Sequence, residues 1–335
     1  LHPIGLSFAP TTQKMKDFVL IPYVSIKPRC ISVYCRVENY VSNRTRKQFE
    51  NEVNLEDNDP AGILSMKASK RIGLAIDWLL FIATNKKIFS KKLGKYFQFK
   101  INFVTLTLSS NQVHPDNEIK SKLLNQFITE ARKKWGVKNY LWRAEPQRNG
   151  NIHFHVVTDK FIPWDELRET WNRIQNKLGY VDRYAKTQRE KFKNGFVFDP
   201  KYGMHWNYDK QLKAYKKSVK EDWNNPNSTD VHSIKKIRNI GAYLAKYCTK
   251  QPKGRKIEGD LWRLSQGLSK LKSVIWERDS IIEHELALIK EAFKNKTKIY
   301  DYCTCFYVDV KDWYSLTQGS LWEILKKYVN HVQTA

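Results

Sequence analysis

Two hydrophobic periods alternate between residues 99 and 180. Phe99 to Ser109, FKINFVTLTLS, carries apolar side chains on both faces over much of its length, which predicts a central β-strand covered on both sides. From Pro115 to Trp135 the spacing becomes helical. Ile119, Leu123, Phe127 and Trp135 share a stripe with Leu124, Ile128 and Ala131, and Gly136 stands where a left-handed terminating residue is wanted. Asn139 to Asp159 then reads as a β-hairpin. A second helix is predicted from Pro163 to Leu178, with Pro near its start, the stripe Leu167–Trp171–Ile174–Leu178, and Gly179 at its end. The predicted order is strand, helix, strand, strand, helix.

The flanks are less periodic. Residues 1–60 read as irregular, with strand-like pieces such as Arg29 to Val37. A basic amphipathic helix is predicted from Met66 to Phe89, with Leu74, Trp78, Leu79 and Ile82 at its apolar centre and Lys67, Lys70, Arg71, Lys86 and Lys87 around it. Residues 180–230 are basic and aromatic with few clear periods. They hold a turn at Asn194-Gly195, a short strand at Phe196 to Phe198 and a loop at Asn224 to Ser228. Val231 to Lys250 reads as one long helix stopped by Pro252. Two more helices, near 280–294 and 319–332, are predicted around a strand at 302–310. The class is α+β. The expected organisation is an N-terminal extension over 1–95, a core over 96–270 with an insertion at 180–230, and a C-terminal helical region over 271–335.

Composition adds a partner. Lys plus Arg number 59 against 34 for Asp plus Glu in 335 residues, a formal net charge of +25. Such a surplus implies a polyanion, most often nucleic acid. An acidic membrane is the other class, but the longest apolar stretch, Trp78 to Ala83, falls far short of the roughly 20 residues of a spanning helix. No signal-peptide pattern is seen, and five cysteines at irregular spacing suit a reduced, cytoplasmic setting. Cys303 and Cys305 alternate in a strand-like run and read as core. Eleven Trp, 17 Tyr and 16 Phe interleaved with Lys and Arg suit stacking on unpaired bases, although most of them serve equally well as core. No Walker-type loop is found, so no ATPase is visible.

The hairpin carries candidate metal chemistry. In NIHFHVV the two histidines, His153 and His155, leave one face of a strand while Ile152, Phe154 and Val156 leave the other. Glu145 lies on the preceding strand. A two-residue turn at Asn149-Gly150 would pair Glu145 with Phe154 and turn it away. A three-residue loop, Arg148-Asn149-Gly150, or a five-residue loop would set it opposite His153, and Gly150 stands at the left-handed third position of the shorter one. Pro146 cannot donate to the ladder and belongs beside an unpaired edge or a bulge. Two imidazoles and a carboxylate suit Mn²⁺, or Mg²⁺ with a substrate phosphate, and Zn²⁺ also accepts them. A His-x-His pair in a strand is equally compatible with packing.

A second stretch, GAYLAKYCTK from Gly241 to Lys250, carries candidate nucleophiles. Tyr243 and Tyr247 are four apart and share a helix face, with Lys250 near it and Lys246 at its edge. Leu244 and Cys248 fall on the buried side together with Ile234 and Ile237. A protonated phenol, with a pKa of about 10, is a poor nucleophile, and nearby ammonium groups favour the phenolate. A tyrosine pair at this spacing is also ordinary packing.

In this order, FVTLTLS, EPQRNGNIHFH and YLAKYCTK resemble the motifs of the HUH endonuclease superfamily. More narrowly, they are similar to those of the two-tyrosine rolling-circle replication initiators of microvirus-type single-stranded DNA phages. LWRLSQGLS is similar to a segment that often follows the tyrosine helix. The resemblance covers about 100–160 and 235–270. It implies a central antiparallel sheet flanked by helices, with His153, His155 and Glu145 as ligands of Mg²⁺ or Mn²⁺. It implies Tyr243 and Tyr247 as nucleophiles and Lys246 and Lys250 as phosphate contacts. It further implies nicking and joining of origin single-stranded DNA, which can include a hairpin, through a 5′-phosphotyrosine link. Host helicase and DNA polymerase are the implied partners in a bacterial cytoplasm. A two-tyrosine transposase stays open, and so does a relaxase, although relaxases usually carry a third hairpin histidine that is absent here. From another class, a non-catalytic DNA- or RNA-binding protein would use the tyrosines for stacking.

Overall fold

The structure is a computed structural model that describes residues 14–15, 18–39, 64–90, 94–204, 206–232, 240–249, 254–277, 280–301, 303–308 and 320–334. In chain order, strands β1 (Lys14–Met15), β2 (Phe18–Lys27) and β3 (Cys30–Asn39) precede helix α1 (Met66–Ile82). Strands β4 (Lys86–Ser90), β5 (Lys95–Phe99) and β6 (Asn102–Thr107) follow. Helix α2 consists of Asp116–Ile119, a π-helical turn Lys120–Leu124, and Asn125–Trp135. The hairpin strands are β7 (Tyr140–Pro146) and β8 (Ile152–Thr158). Then come α3 (Trp164–Gln175), α4 (Tyr180–Lys191), α5 (Tyr208–Lys220), β9 (Thr229–Val231), α6 (Ile240–Thr249) and β10 (Trp262–Leu264). The chain closes with α7 (Gln266–Lys270), β11 (Val274–Glu277), α8 (Ser280–Ala292), β12 (Thr297–Tyr300), β13 (Cys303–Tyr307) and α9 (Ser320–Thr334). No described helix is long and apolar enough to cross a membrane.

The chain divides into two compact units. One takes Leu1–Asp57, Gly73–Ile82 and Gln266–Ala335, and the other takes Asn58–Ile72 and Ala83–Ser265. The first holds an antiparallel sheet in the order β1-β2-β3-β13-β12, with β11 also paired to β2. Its core includes Val24, Ile26 and Ile31 at no exposure, and Trp78 packs on Phe81 and Tyr328. Cys305 is buried there, within reach of the Ser32 hydroxyl at 3.3 Å.

The second unit carries the predicted core. Its five-stranded antiparallel sheet runs β10-β7-β8-β6-β9. One face is apolar, as the alternation in β6 and β8 requires. Phe154 and Trp171 of α3 meet edge to face at 6.5 Å, and Trp171 meets Phe127 of α2 at 6.0 Å. The Trp171 indole N–H donates to the Thr107 carbonyl at 2.7 Å, so this fully buried ring leaves no polar atom unpaired. Gly136 and Gly179 end α2 and the turn after α3 with φ of 65° and 70°, the left-handed values that glycine adopts without strain.

Some boundaries differ from the sequence expectation. The helix expected through Phe89 stops at Ile82, because Lys86–Ser90 alternates in register with Lys95–Phe99 as a hairpin. Val231 is not helical. It pairs with Val104 in β9, and α6 is described only from Ile240; Ile234 and Ile237 lie outside the described residues. Phe196 to Phe198 forms no strand, since no ladder edge faces it and its rings pack on Tyr208 and Tyr215 instead. The segment 180–230 holds two helices, α4 and α5, and the region before residue 40 is a ten-residue-per-strand hairpin, Phe18–Lys27 with Cys30–Asn39.

Candidate active site

The second face of the five-stranded sheet is polar where the first is apolar. Register sets His153 opposite both Glu145 and Thr107, and His155 opposite both Arg143 and Thr105. The ladder strands end at Pro146 and Ile152, and one further bond joins the Gln147 N–H to the Asn151 carbonyl at 2.7 Å. Arg148, Asn149 and Gly150 are therefore the loop, and Gly150 has φ of 84°. The loop is odd in length, so Glu145 shares the histidine face. Pro146 lies beyond β10, whose pairing with β7 reaches only Arg143 as strand and Ala144 by one bond to Leu261, so its missing N–H interrupts nothing.

The hairpin tip is tied down from outside. The Arg255 guanidinium donates to the Gly150 carbonyl at 2.6 Å and to both Asp116 carboxylate oxygens at 2.6 and 2.7 Å. Burial would raise the Asp116 carboxyl, but hydrogen bonds from Arg255, Gln112 and the Glu258 N–H hold it below its ordinary 3.8. A depressed carboxyl stabilises fully above its unfolded pKa, and that contribution is lost as pH falls through the lower folded value. Asp116→Asn is expected to lower stability by about 1–3 kcal/mol at pH 7. The difference from wild type should close below pH 3.8, as read by urea denaturation across that range.

Three donor atoms converge on one point. The Nε2 atoms of His153 and His155 are 3.1 Å apart, and Glu145 Oε2 lies 3.9 and 3.6 Å from them. Bonds of about 2.1 Å would separate ligand atoms by about 3.0 Å at right angles and about 3.4 Å in a tetrahedron, so the spacing fits one small divalent ion. Two imidazole lone pairs this close repel unless a proton or a cation lies between them. Glu145 Oε1 and His153 Nδ1 are also buried without a hydrogen-bond partner among the described residues. Burial, and then His155, push His153 down to about 4, so its ring is neutral at pH 7 and offers a lone pair. Burial would raise Glu145, but the bond to His155 and the charges of His155 and Arg143 hold it below the usual carboxylate range, hence ionised. The donor set fits Mn²⁺ or Mg²⁺ with open positions, and it also suits Zn²⁺.

Behind the donors stands an orienting layer. His155 Nδ1 lies 3.0 Å from the Thr105 hydroxyl, which lies 2.7 Å from His232 Nε2, and His232 Nδ1 faces the Asp230 carboxylate at 3.6 Å. A ligand ring held through its other nitrogen keeps its tautomer and its aim. Arg143 is fully buried beside Glu145. One nitrogen donates to the Ala144 and Leu261 carbonyls, and Nε and Nη2 have no partner among the described residues.

Helix α6 brings the tyrosines to this same face. Leu244 and Cys248 are fully buried and anchor it, and burial pushes the Cys248 thiol up to about 12. Tyr243 is half-buried and Tyr247 is exposed, with their rings 4.7 Å apart. Phe103 of β6 is their floor, 6.4 Å from Tyr243, 6.1 Å from Tyr247 and 5.5 Å from His155. The Tyr247 ring lies 6.4 Å from that of His155. The Tyr243 phenol is pushed up by burial and by its hydrogen bond with Tyr247, the opposite of what neighbouring ammonium groups would do. Lys246 is exposed in the last turn of α6, and Lys250 lies outside the described residues.

Phe103, Thr105, Arg143, Asp230 and His232 join the site without having stood out in the sequence. Two signals for them were present. Thr105 and Thr107 alternate within an otherwise apolar strand, and Arg143 interrupts Leu141–Ala144, where a charge has no reason to be buried unless the face is polar.

Residues 101–252 match a family model described as replication-associated protein, of the ORF2 type. That stretch contains β6, the hairpin and α6, so the matched region and the polar sheet face coincide. No curated protein and no solved structure matches the chain.

Proposed function

We propose that the chain is a replication initiator of the HUH, two-tyrosine type, which nicks and rejoins single-stranded DNA at an origin. One observation carries this: two tyrosines from a helix lie over the sheet face that holds Glu145, His153 and His155, inside the stretch similar to replication-associated proteins. The net charge of +25 suits the substrate.

In this scheme one phenol attacks the phosphorus of a phosphodiester. The new bond joins the tyrosine oxygen to the 5′ phosphate as the bond to the 3′ oxygen breaks. The phenol gives up its proton and the departing 3′ oxygen gains one, leaving a primer end for a polymerase. Attack by a 3′ hydroxyl reverses the step, so the covalent link conserves the bond for rejoining, and the second tyrosine can cut the regenerated origin. A divalent ion held by Glu145, His153 and His155 would polarise the phosphate and neutralise developing charge. Thr105 and His232 hold the His155 ring, Phe103 supports the tyrosine rings, and Lys246, with Lys250, would contact phosphate. Unwinding would fall to a host helicase.

Wild-type protein mixed with origin single strands and Mn²⁺, then denatured in detergent, should give a protein–DNA band that survives denaturation. The absence of any such band on cognate strands would sink the enzyme reading and leave a protein that only binds nucleic acid.

A further inference from the structure

The segment between α4 and β9 displays apolar rings where a folded chain ordinarily hides them. Phe192, Tyr215 and Trp223 form an inner cluster, with Phe192 and Trp223 stacked at 5.0 Å, and Phe196 packs on Tyr215 and Tyr208. Outside it, Tyr202 is 57% exposed, Met204 92%, Trp206 51% and Tyr208 54%. Helix α5 carries an apolar stripe, Tyr208, Leu212, Tyr215 and Val219, yet none of its residues is buried. A contiguous exposed patch of this kind marks a binding surface.

The loop that shows these rings is ordered by its own hydrogen bonds. The Asp199 carboxylate accepts from the Lys201 N–H, and the Asn207 side chain caps α5 by accepting from the Lys210 N–H. The Gln211 amide donates to the Asp199 and Trp206 carbonyls at 2.9 and 2.8 Å, and its oxygen accepts from the Asp199 N–H. The Trp206 N–H donates to the Tyr202 carbonyl at 2.8 Å. Rings held this way need little further ordering to bind.

Charge selects the occupant. Residues 191–220 contain eight lysines against two aspartates. At 100° per residue, Lys213, Lys216 and Lys220 occupy the arc of α5 next to its apolar stripe, and all three are exposed. A second copy of this chain would bring the same lysines and its own +25 to the contact, which opposes self-association. Unpaired bases beside a phosphate backbone satisfy both the rings and the lysines. We infer that Tyr202, Trp206 and Tyr208 form a stacking platform for single-stranded DNA, with Lys213, Lys216 and Lys220 along its phosphates. The inference rests on DNA as the substrate and names a second place where the strand is held.

Binding of a labelled oligothymidylate, followed by fluorescence anisotropy in the presence of chelator, tests it without any chemistry. A Tyr202→Ala/Trp206→Ala double variant should bind about 10–100-fold more weakly, while Trp206→Phe stays within about threefold of wild type. Lys213→Ala with Lys216→Ala should lower the slope of log Kd against log salt by about 0.7 for each phosphate that no longer meets a lysine. Unchanged oligonucleotide affinity in the double variant overturns the platform. An equal loss on blunt duplex does so too, because then bases are not what the rings hold. A wild-type dimer in sedimentation that the double variant dissolves, with DNA affinity intact, would make the patch an interface between copies instead. Adduct formation on the same preparations separates the two proposals. Wild type that binds the oligonucleotide but forms no adduct on origin strands overturns nicking alone, and a double variant that binds normally beside an adduct-forming wild type overturns the platform alone.

Discussion

His153→Ala is expected to abolish the Mn²⁺-dependent protein–DNA adduct, with a loss of at least about 10³-fold in its rate of formation. The ring supplies one of three convergent donors, 3.1 Å from its neighbour His155 and 3.9 Å from Glu145. Truncation leaves one imidazole and one carboxylate, too few to hold a weakly bound hard ion against its hydration shell. The variant should also lose a property unrelated to turnover. Mn²⁺ at about 100 times its Kd stabilises a folded protein by about 2.7 kcal/mol, and the resulting rise in Tm should be present in wild type and absent in His153→Ala. The site of truncation is half-buried, so the apo variant should still fold and show its own unfolding transition near that of apo wild type. An adduct of normal yield, or a normal Mn²⁺ shift in Tm, would show that the pair is structural.

The sheet face on which this depends was legible because strand periodicity is strict. Once His153 and His155 were two apart in an apolar strand, their shared face followed, and Gly150 together with the odd loop brought Glu145 to it. The helical stripes of α2 and α3 were legible for the same reason: Phe127 and Trp171 repeat at helical spacing and are fully buried. Features that depend on distant partners were not legible. Val231 joins a strand because Val104 offers it an open edge, which nothing near Val231 announces. Helix α5 was hidden because its apolar stripe is short and interleaved with lysines, and no core covers it. His232 reaches the site only through Thr105, a contact across 127 residues. Local pattern thus defined the donors, whereas the layer that orients them came from tertiary pairing.

Tyr247→Phe is expected to lower the first cleavage by at least about 10³-fold, whereas Tyr243→Phe should leave it within about tenfold of wild type. The two phenols share a helix face but not an environment. Tyr247 is exposed and its ring lies 6.4 Å from that of His155, so an incoming phosphodiester can reach it and the donor cluster together. Tyr243 sits one turn back, half-buried, and burial with its hydrogen bond to Tyr247 raises its phenol, so it gives up a proton less readily. A raised phenol suits a group that waits until the strand has been rearranged. Tyr243→Phe should therefore accumulate the first covalent adduct without releasing joined product. Mass mapping of the tyrosine that carries the oligonucleotide, on a substrate with a single cleavable site, distinguishes the two. Attachment at Tyr243 in wild type, or full first cleavage by Tyr247→Phe, would reverse the order proposed. Neither result would move the hairpin site, because Glu145, His153 and His155 lie within reach of either phenol's strand through the shared floor of Phe103.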